Sequence, residues 1–233
     1  MSVILVGNGE SLLGSNMGEV IDSYDTVVRF DRLNIEGYEK DVGTKTDILV
    51  LDSFMFLRYM SDDDDDIRDE LHEIGEIWLM PNEKMYVDMA ISFKNEFKNL
   101  KMIDKEYDKY RLEMGYHKKY KSDKDGLNYL SCEFYTILHM IKGKINFNHI
   151  GLDFLKVDLN SFAFENVFNE NPLNKLYAPV DNSMQFYHKP NQIFKKYYSD
   201  EYWCFENMTS QILELKILKL FNELGILGAE VKI

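Results

Sequence analysis

Short, branched-apolar runs alternate along this chain with longer stretches whose apolar positions recur every three or four residues. The runs SVILVG (2–7), DTVVRF (25–30), DILVLD (47–52), EIWLMP (76–81) and LKMID (100–104) read as buried strands. KINFNHIGLDF (144–154) reads as a strand running into a turn. Helical spacing marks SLLGSNMGEVIDSY (11–24), DDIRDELHEI (65–74), EKMYVDMAISFKNEF (83–97), LNYLSCEFYTILHMIK (127–142) and SQILELKILKLFNELG (210–225). Glycines weaken the first of these. The helix at 127–142 carries apolar residues on more than one face, so it is expected to be buried. Strand-helix alternation predicts an α/β fold, a mostly parallel sheet covered by helices, in a single domain over 1–233.

Between about 155 and 205 the periodicity fades. That stretch holds three of the four prolines and many asparagines and aromatics. It reads as a lid or active-site loop, because long irregular segments in compact domains are usually functional. The run SDDDDD (61–66) reads as a solvated loop and helix N-terminus rather than a metal site, since consecutive carboxylates diverge.

Composition bounds the partners. The chain has 233 residues and a net charge of -13, which repels phosphate backbones and anionic membranes without forbidding a local basic groove. Cys132 and Cys204 form neither a disulfide framework nor a metal-ligand pattern, which suits a reducing compartment. No apolar run reaches the roughly 18 residues of a membrane span, and Met1 leads almost directly into a strand. A cytoplasmic protein without a signal peptide is expected.

The candidate chemistry begins at ILVGNGESLLGS (4–15). Its glycines permit a tight turn and close backbone approach to a ligand, and the N–H groups that follow can receive an anion. A G-x-G after a strand is also a common plain turn. The longer segment from Val6 to Thr46, GNGESLLGSNMGEVIDSYDTVVRFDRLNIEGYEKDVGTKT in its core, resembles the long sialylmotif of the sialyltransferases. The resemblance implies a Rossmann-like sheet, a GT-A-like variant, and a site for the cytidine nucleotide of a CMP-sugar donor. Asn8, Gly9 and Ser11 match turn positions that face the nucleotide. Asp31 stands where the family has Asn; an ionised Asp only accepts hydrogen bonds, whereas Asn also donates.

The second half resembles the bacterial sialyltransferases. LSCEFYTILHMIKGKINFNHIGLDF places Ser131 at a donor-contacting position and Gly151 and Asp153 on a G-I-D-F-like turn. DNSMQFYHKPN resembles a stretch carrying the catalytic His, which implies that His188 is the general base, with Asp153 next in line. Two departures stand out. Leu155 and Phe162 lie where the bacterial family has phosphate-holding tyrosines, leaving Lys156, Lys189 or Tyr187 as substitutes. Thr209 replaces the His of the animal His-x4-Glu motif before Glu214.

The resemblance implies an inverting, metal-independent transfer of sialic acid or a related sugar from a nucleotide-sugar donor to a glycan. No cofactor and no metal site are expected. Two alternatives stand beside it. YHKKYKSDK (116–124) and YHKPNQIFKKYY (187–198) are basic-aromatic stretches that fit a nucleic-acid backbone, so a phage-type enzyme adding a sugar such as arabinose to hydroxymethylated cytosine in DNA is the second reading. A non-catalytic nucleotide-binding module is the third. The other histidines read as structural or solvated: His139 in a buried helix, His149 at a strand end near the turn, and His72 and His117 in water.

Overall fold

The computed structural model describes residues 1–30, 35–61, 65–80, 84–103, 132–152 and 217–232. Six strands form one sheet: β1 (Val3–Val6), β2 (Thr26–Phe30), β3 (Ile48–Asp52), β4 (Glu76–Met80), β5 (Leu100–Met102) and β6 (Asn148–Ile150). Their order across the sheet is β5-β4-β3-β2-β1-β6, and every neighbouring pair is parallel. All six fall inside the runs predicted as strands.

The two-residue period of each strand divides its side chains between two cores. Val3, Leu5, Val28, Phe30, Ile48, Val50, Trp78 and Met80 face one side, against the helix α6 (Cys132–Lys142) and the helical residues 217–223. Leu49, Leu51, Ile77 and Leu79 face the other side, against α3 (Ser53–Ser61), α4 (Asp65–Glu73) and α5 (Lys84–Ser92). Ile4, Val6 and Val27 share that second side with α1 (Gly18–Asp22) and α2 (Glu39–Val42), through Ile21 and Val42. The result is three layers, with strands buried on both faces. Each fully buried Leu or Ile contributes about 1.5–3 kcal/mol.

The prediction of a buried helix near 127–142 holds for its described part. Residues 132–137 of α6 are all buried, and the Thr136 hydroxyl is satisfied by donating to the Cys132 carbonyl at 2.8 Å. The predicted continuous helix over 11–24 does not form. A 3-10 turn (Glu10–Leu12) is followed by left-handed backbone at Gly14 (φ 74°) and Asn16 (φ 55°), and only Gly18–Asp22 is α-helical. Glycine and asparagine take that conformation at the lowest cost, so the apolar spacing was overridden by local backbone preference. Two helices, α2 and α3, were not foreseen; neither SFMFLRYMS nor EKDV carries strong apolar alternation with polar residues.

The outer edge of β6 is covered by the C-terminal residues 229–231. The His149 N–H donates to the Ala229 carbonyl at 3.1 Å, and the Val231 N–H to the His149 carbonyl at 2.8 Å. The predicted lid at 155–205 and both basic-aromatic stretches lie outside the described residues.

Candidate functional site

Strand order locates the site. From β1 the chain builds outward through β2, β3, β4 and β5 on one side, and returns to β1's other side with β6. Ligands of open α/β sheets bind at such a switch, beyond the carboxyl ends of the strands. There β1 runs into Gly7-Asn8-Gly9, and β6 into Gly151-Leu152.

The two turns are joined directly. The Gly7 N–H donates to the Ile150 carbonyl and the Gly9 N–H to the Gly151 carbonyl, both at 2.9 Å. A Cβ on Gly7 would lie 2.4 Å from the Gly151 oxygen, closer than real Cβ atoms come to backbone. Gly151 itself has φ 70°, and a Cβ there would meet the buried Leu12 side chain at 2.6 Å. Glycine is therefore required on both sides of the crevice floor. Asn8 ties in a third strand end: its Nδ2 donates to the Phe30 carbonyl, the last residue of β2, at 3.1 Å.

Four of the predicted site residues thus converge. Asn8 and Gly9 lie in the β1 turn, Ser11 in the 3-10 turn after it, and Gly151 in the facing β6 turn. Asp31 follows Phe30, Ser131 precedes α6 and Asp153 follows Leu152, but all three lie outside the described residues, as does His188. Among the described residues no group of three or more His, Cys, Asp or Glu is placed to hold a metal ion.

Of the other histidines, His149 is buried within β6, beside Leu5 of β1. His139 packs edge-on to Trp78, with ring centroids 5.0 Å apart. His72 is exposed and stacks on Phe97 at 4.2 Å. His117 lies outside the described residues. A cavity of about 340 Å³ lies at the opposite edge of the sheet, where Ser2, Val3 and Asn148 begin or precede their strands, away from the switch.

Several polar residues of the Val6–Thr46 segment, among those described, are engaged in the scaffold. Arg29, in an otherwise apolar strand, is 5% exposed. Its Nη2 donates to the Val42 carbonyl at 2.5 Å, and its Nε to the Lys45 carbonyl at 3.0 Å and the Thr46 hydroxyl at 3.1 Å. Burial pushes its guanidinium down to about 10, partly opposed by Asp22, so it stays charged at neutral pH. Lys45 Nζ donates to the Tyr24 and Asp25 carbonyls and pairs with Asp47 at 3.3 Å. Asp47 in turn accepts from the Val27 N–H at 2.7 Å. The sequence reading did not anticipate this buttress. The available signal was the arginine itself, since a cation in a buried strand needs several acceptors.

Asp22 closes the same buttress. It accepts from the N–H groups of Thr44 and Lys45 at 2.8–2.9 Å and from the Thr44 hydroxyl at 2.9 Å. Gly43 beside them has φ 74°, and a Cβ there would lie 2.3 Å from the Asp22 carboxylate. Burial raises the Asp22 carboxyl, but the Lys45 and Thr44 bonds and the charge of Arg29 outweigh it and hold it below its ordinary 3.8. A depressed folded value means the contribution is complete above the unfolded value and fades as pH falls through the folded one. Asp22→Asn is accordingly expected to lower stability by about 1–2 kcal/mol at neutral pH. In urea titrations the gap between variant and native protein should narrow between neutral pH and a pH below the ordinary carboxylate value of 3.8. An equal gap at both pH values would show that the carboxylate charge is not what Asp22 supplies.

The parallel sheet, its switch between β1 and β6 and the glycine-floored crevice define a Rossmann-like α/β protein. The model of glycosyltransferase family 29 (sialyltransferase) matches residues 2–136, and the chain belongs to that family. It is 46% identical over 52 residues to beta-galactoside alpha-2,6-sialyltransferase 2 of Homo sapiens, a match covering 22% of this chain and 10% of that protein. To alpha-N-acetylgalactosaminide alpha-2,6-sialyltransferase 1 of Gallus gallus it is 56% identical over 46 residues, 20% of this chain and 8% of that one. These matches thus span about a tenth of the length of the curated relatives. A crystal structure of a mammalian sialyltransferase in complex with Gal-beta-1-3GalNAc-ortho-nitrophenol aligns with a TM-score of 0.45 and 20% identity, covering 64% of this chain and 54% of that one.

Proposed function

We propose that the chain is an inverting glycosyltransferase that takes a CMP-linked sugar, sialic acid or a related acid sugar, and transfers it to a glycan hydroxyl. The observation that carries this reading is the joined pair of turns, Gly7-Asn8-Gly9 and Gly151-Leu152, at the sheet's switch point in a member of family 29. A turn floored by glycine lets a nucleotide approach the backbone closely. Asp31, next in the chain after Phe30, and Ser131, next before Cys132, are assigned to the same donor.

The reaction is one displacement. The acceptor oxygen bonds to the anomeric carbon as the bond from that carbon to the nucleotide phosphate breaks. The electron pair leaves with CMP, the configuration inverts, and the acceptor proton passes to His188. No divalent metal is assigned, because N–H groups and side-chain donors neutralise the departing phosphate. The transfer is assigned to the cytosol. A DNA acceptor is the second reading, favoured by the basic-aromatic stretches 116–124 and 187–198. Steeply salt-dependent binding to duplex DNA would select it over a glycan.

Calorimetric titration with CMP-, UDP- and GDP-sugars tests the donor. Only the CMP-sugar is expected to bind, and slow hydrolysis of it without acceptor is expected to separate an enzyme from a binding module. Binding confined to UDP- or GDP-sugars would reassign the donor, and binding of none would remove the reading.

A further inference from the structure

Between the glycine turn and α1 the chain makes a short loop, and both oxygens of one carboxylate hold it. Asp41, in α2, accepts from the Gly14 N–H at 2.7 Å through Oδ2 and from the Asn16 N–H at 2.9 Å through Oδ1. Gly14 and Asn16 are the two left-handed residues of this loop, and for asparagine that conformation costs on the order of 1 kcal/mol. Asn16 Nδ2 donates back to the Gly14 carbonyl at 3.1 Å, and the Met17 N–H to the Ser15 hydroxyl at 3.3 Å. N–H groups converging in this way form an anion-holding concavity, and here the anion is the chain's own side chain. The same loop is pinned on its other side by Leu12, fully buried and seated against Gly151. Ser11 immediately precedes Leu12 in the Glu10–Leu12 turn.

We propose that Asp41 is a positioning residue for the nucleotide turn: by clasping Gly14 and Asn16 it fixes where the Glu10–Leu12 turn leaves the crevice, without touching ligand itself. The proposal rests on the donor reading of the crevice given above. A residue that only shapes a preformed binding turn affects ground state and transition state alike. Its loss therefore raises KM for the donor and leaves kcat nearly unchanged.

Asp41→Asn tests this. It keeps the shape and one acceptor oxygen but turns an amide NH2 toward one of the two N–H groups. A hydrogen bond to a charged group is worth about 1.5–3 kcal/mol, so a ~10-fold effect is expected. Amide hydrogen exchange should accelerate ~10-fold at Gly14 and Asn16 and stay unchanged in β1, β2 and β3. The Kd for CMP and the donor KM in the hydrolysis assay should rise ~10-fold, with kcat within ~2-fold. Asp41→Glu, which restores both oxygens, should regain part of the affinity.

Unchanged exchange at Gly14 and Asn16, or faster exchange with unaltered CMP affinity, overturns the proposal. So does Asp41→Asn losing protection throughout the sheet while Asp41→Glu rescues nothing, which would make Asp41 a general stabiliser. If the native chain binds no cytidine nucleotide, the donor reading and the positioning role fall together. Exchange at Gly14 and Asn16 then still reports whether the clasp exists.

Discussion

Gly7→Val is expected to abolish CMP binding and to destabilise the fold by about 3 kcal/mol. The Cβ alone would lie 2.4 Å from the Gly151 oxygen, 2.8 Å from the Gly151 carbonyl carbon and 2.7 Å from Leu152 Cδ2. Two of the three atoms are backbone and cannot swing aside as a flexible side chain would. Relief therefore requires the ends of β1 and β6 to separate, which breaks the Gly7–Ile150 and Gly9–Gly151 hydrogen bonds that form the crevice floor. Two buried strand ends lose partners, and the turn that approaches the nucleotide loses its register. Urea titration reads the first effect, and calorimetry on the fraction that remains folded reads the second, with affinity down ~100-fold or more. A folded Gly7→Val protein with native CMP affinity would place the nucleotide elsewhere on the molecule.

His188→Ala is expected to lower transfer at neutral pH by ~10²–10⁴-fold with donor binding retained. A sugar hydroxyl is a weak nucleophile, and attack is assisted when its proton leaves as the new bond forms. Among the five histidines, His72, His139 and His149 are accounted for by ring stacking, an edge-on aromatic contact and burial in β6. His188 alone has the motif resemblance, in DNSMQFYHKPN. The native rate should fall as pH drops below neutral, because a protonated imidazole cannot accept the proton. The kcat of the variant should lose that dependence. Near-normal turnover of His188→Ala, or a flat native profile between about pH 5 and 8, would move the base role to Asp153.

Strands were the most legible part of the chain. Val3–Val6, Thr26–Phe30, Ile48–Asp52 and Glu76–Met80 are short branched-apolar runs, and a strand buried on both faces needs no partner information to be recognised. The glycine turn was legible for the same local reason, and the Val6–Thr46 resemblance supplied the family. The loop before α1 was not. Apolar residues in SLLGSNMGEVIDSY have helical spacing, yet a carboxylate 25 residues away in the chain holds Asn16 in a left-handed turn.

The sequence by itself determined which segments are strands, that the sheet is α/β and mostly parallel, and that Asn8 and Gly9 form a turn after β1, because each is written in residues adjacent along the chain. Only the tertiary structure decided that β6 lies beside β1, that Gly151 therefore meets Gly9, that Asp22, Arg29 and Lys45 hold the scaffold, and that Asp41 clasps the loop after the glycine turn. Strand pairing and side-chain-to-backbone bonds join residues 13 to more than 100 positions apart, and a periodic pattern carries no record of which distant partner each one meets.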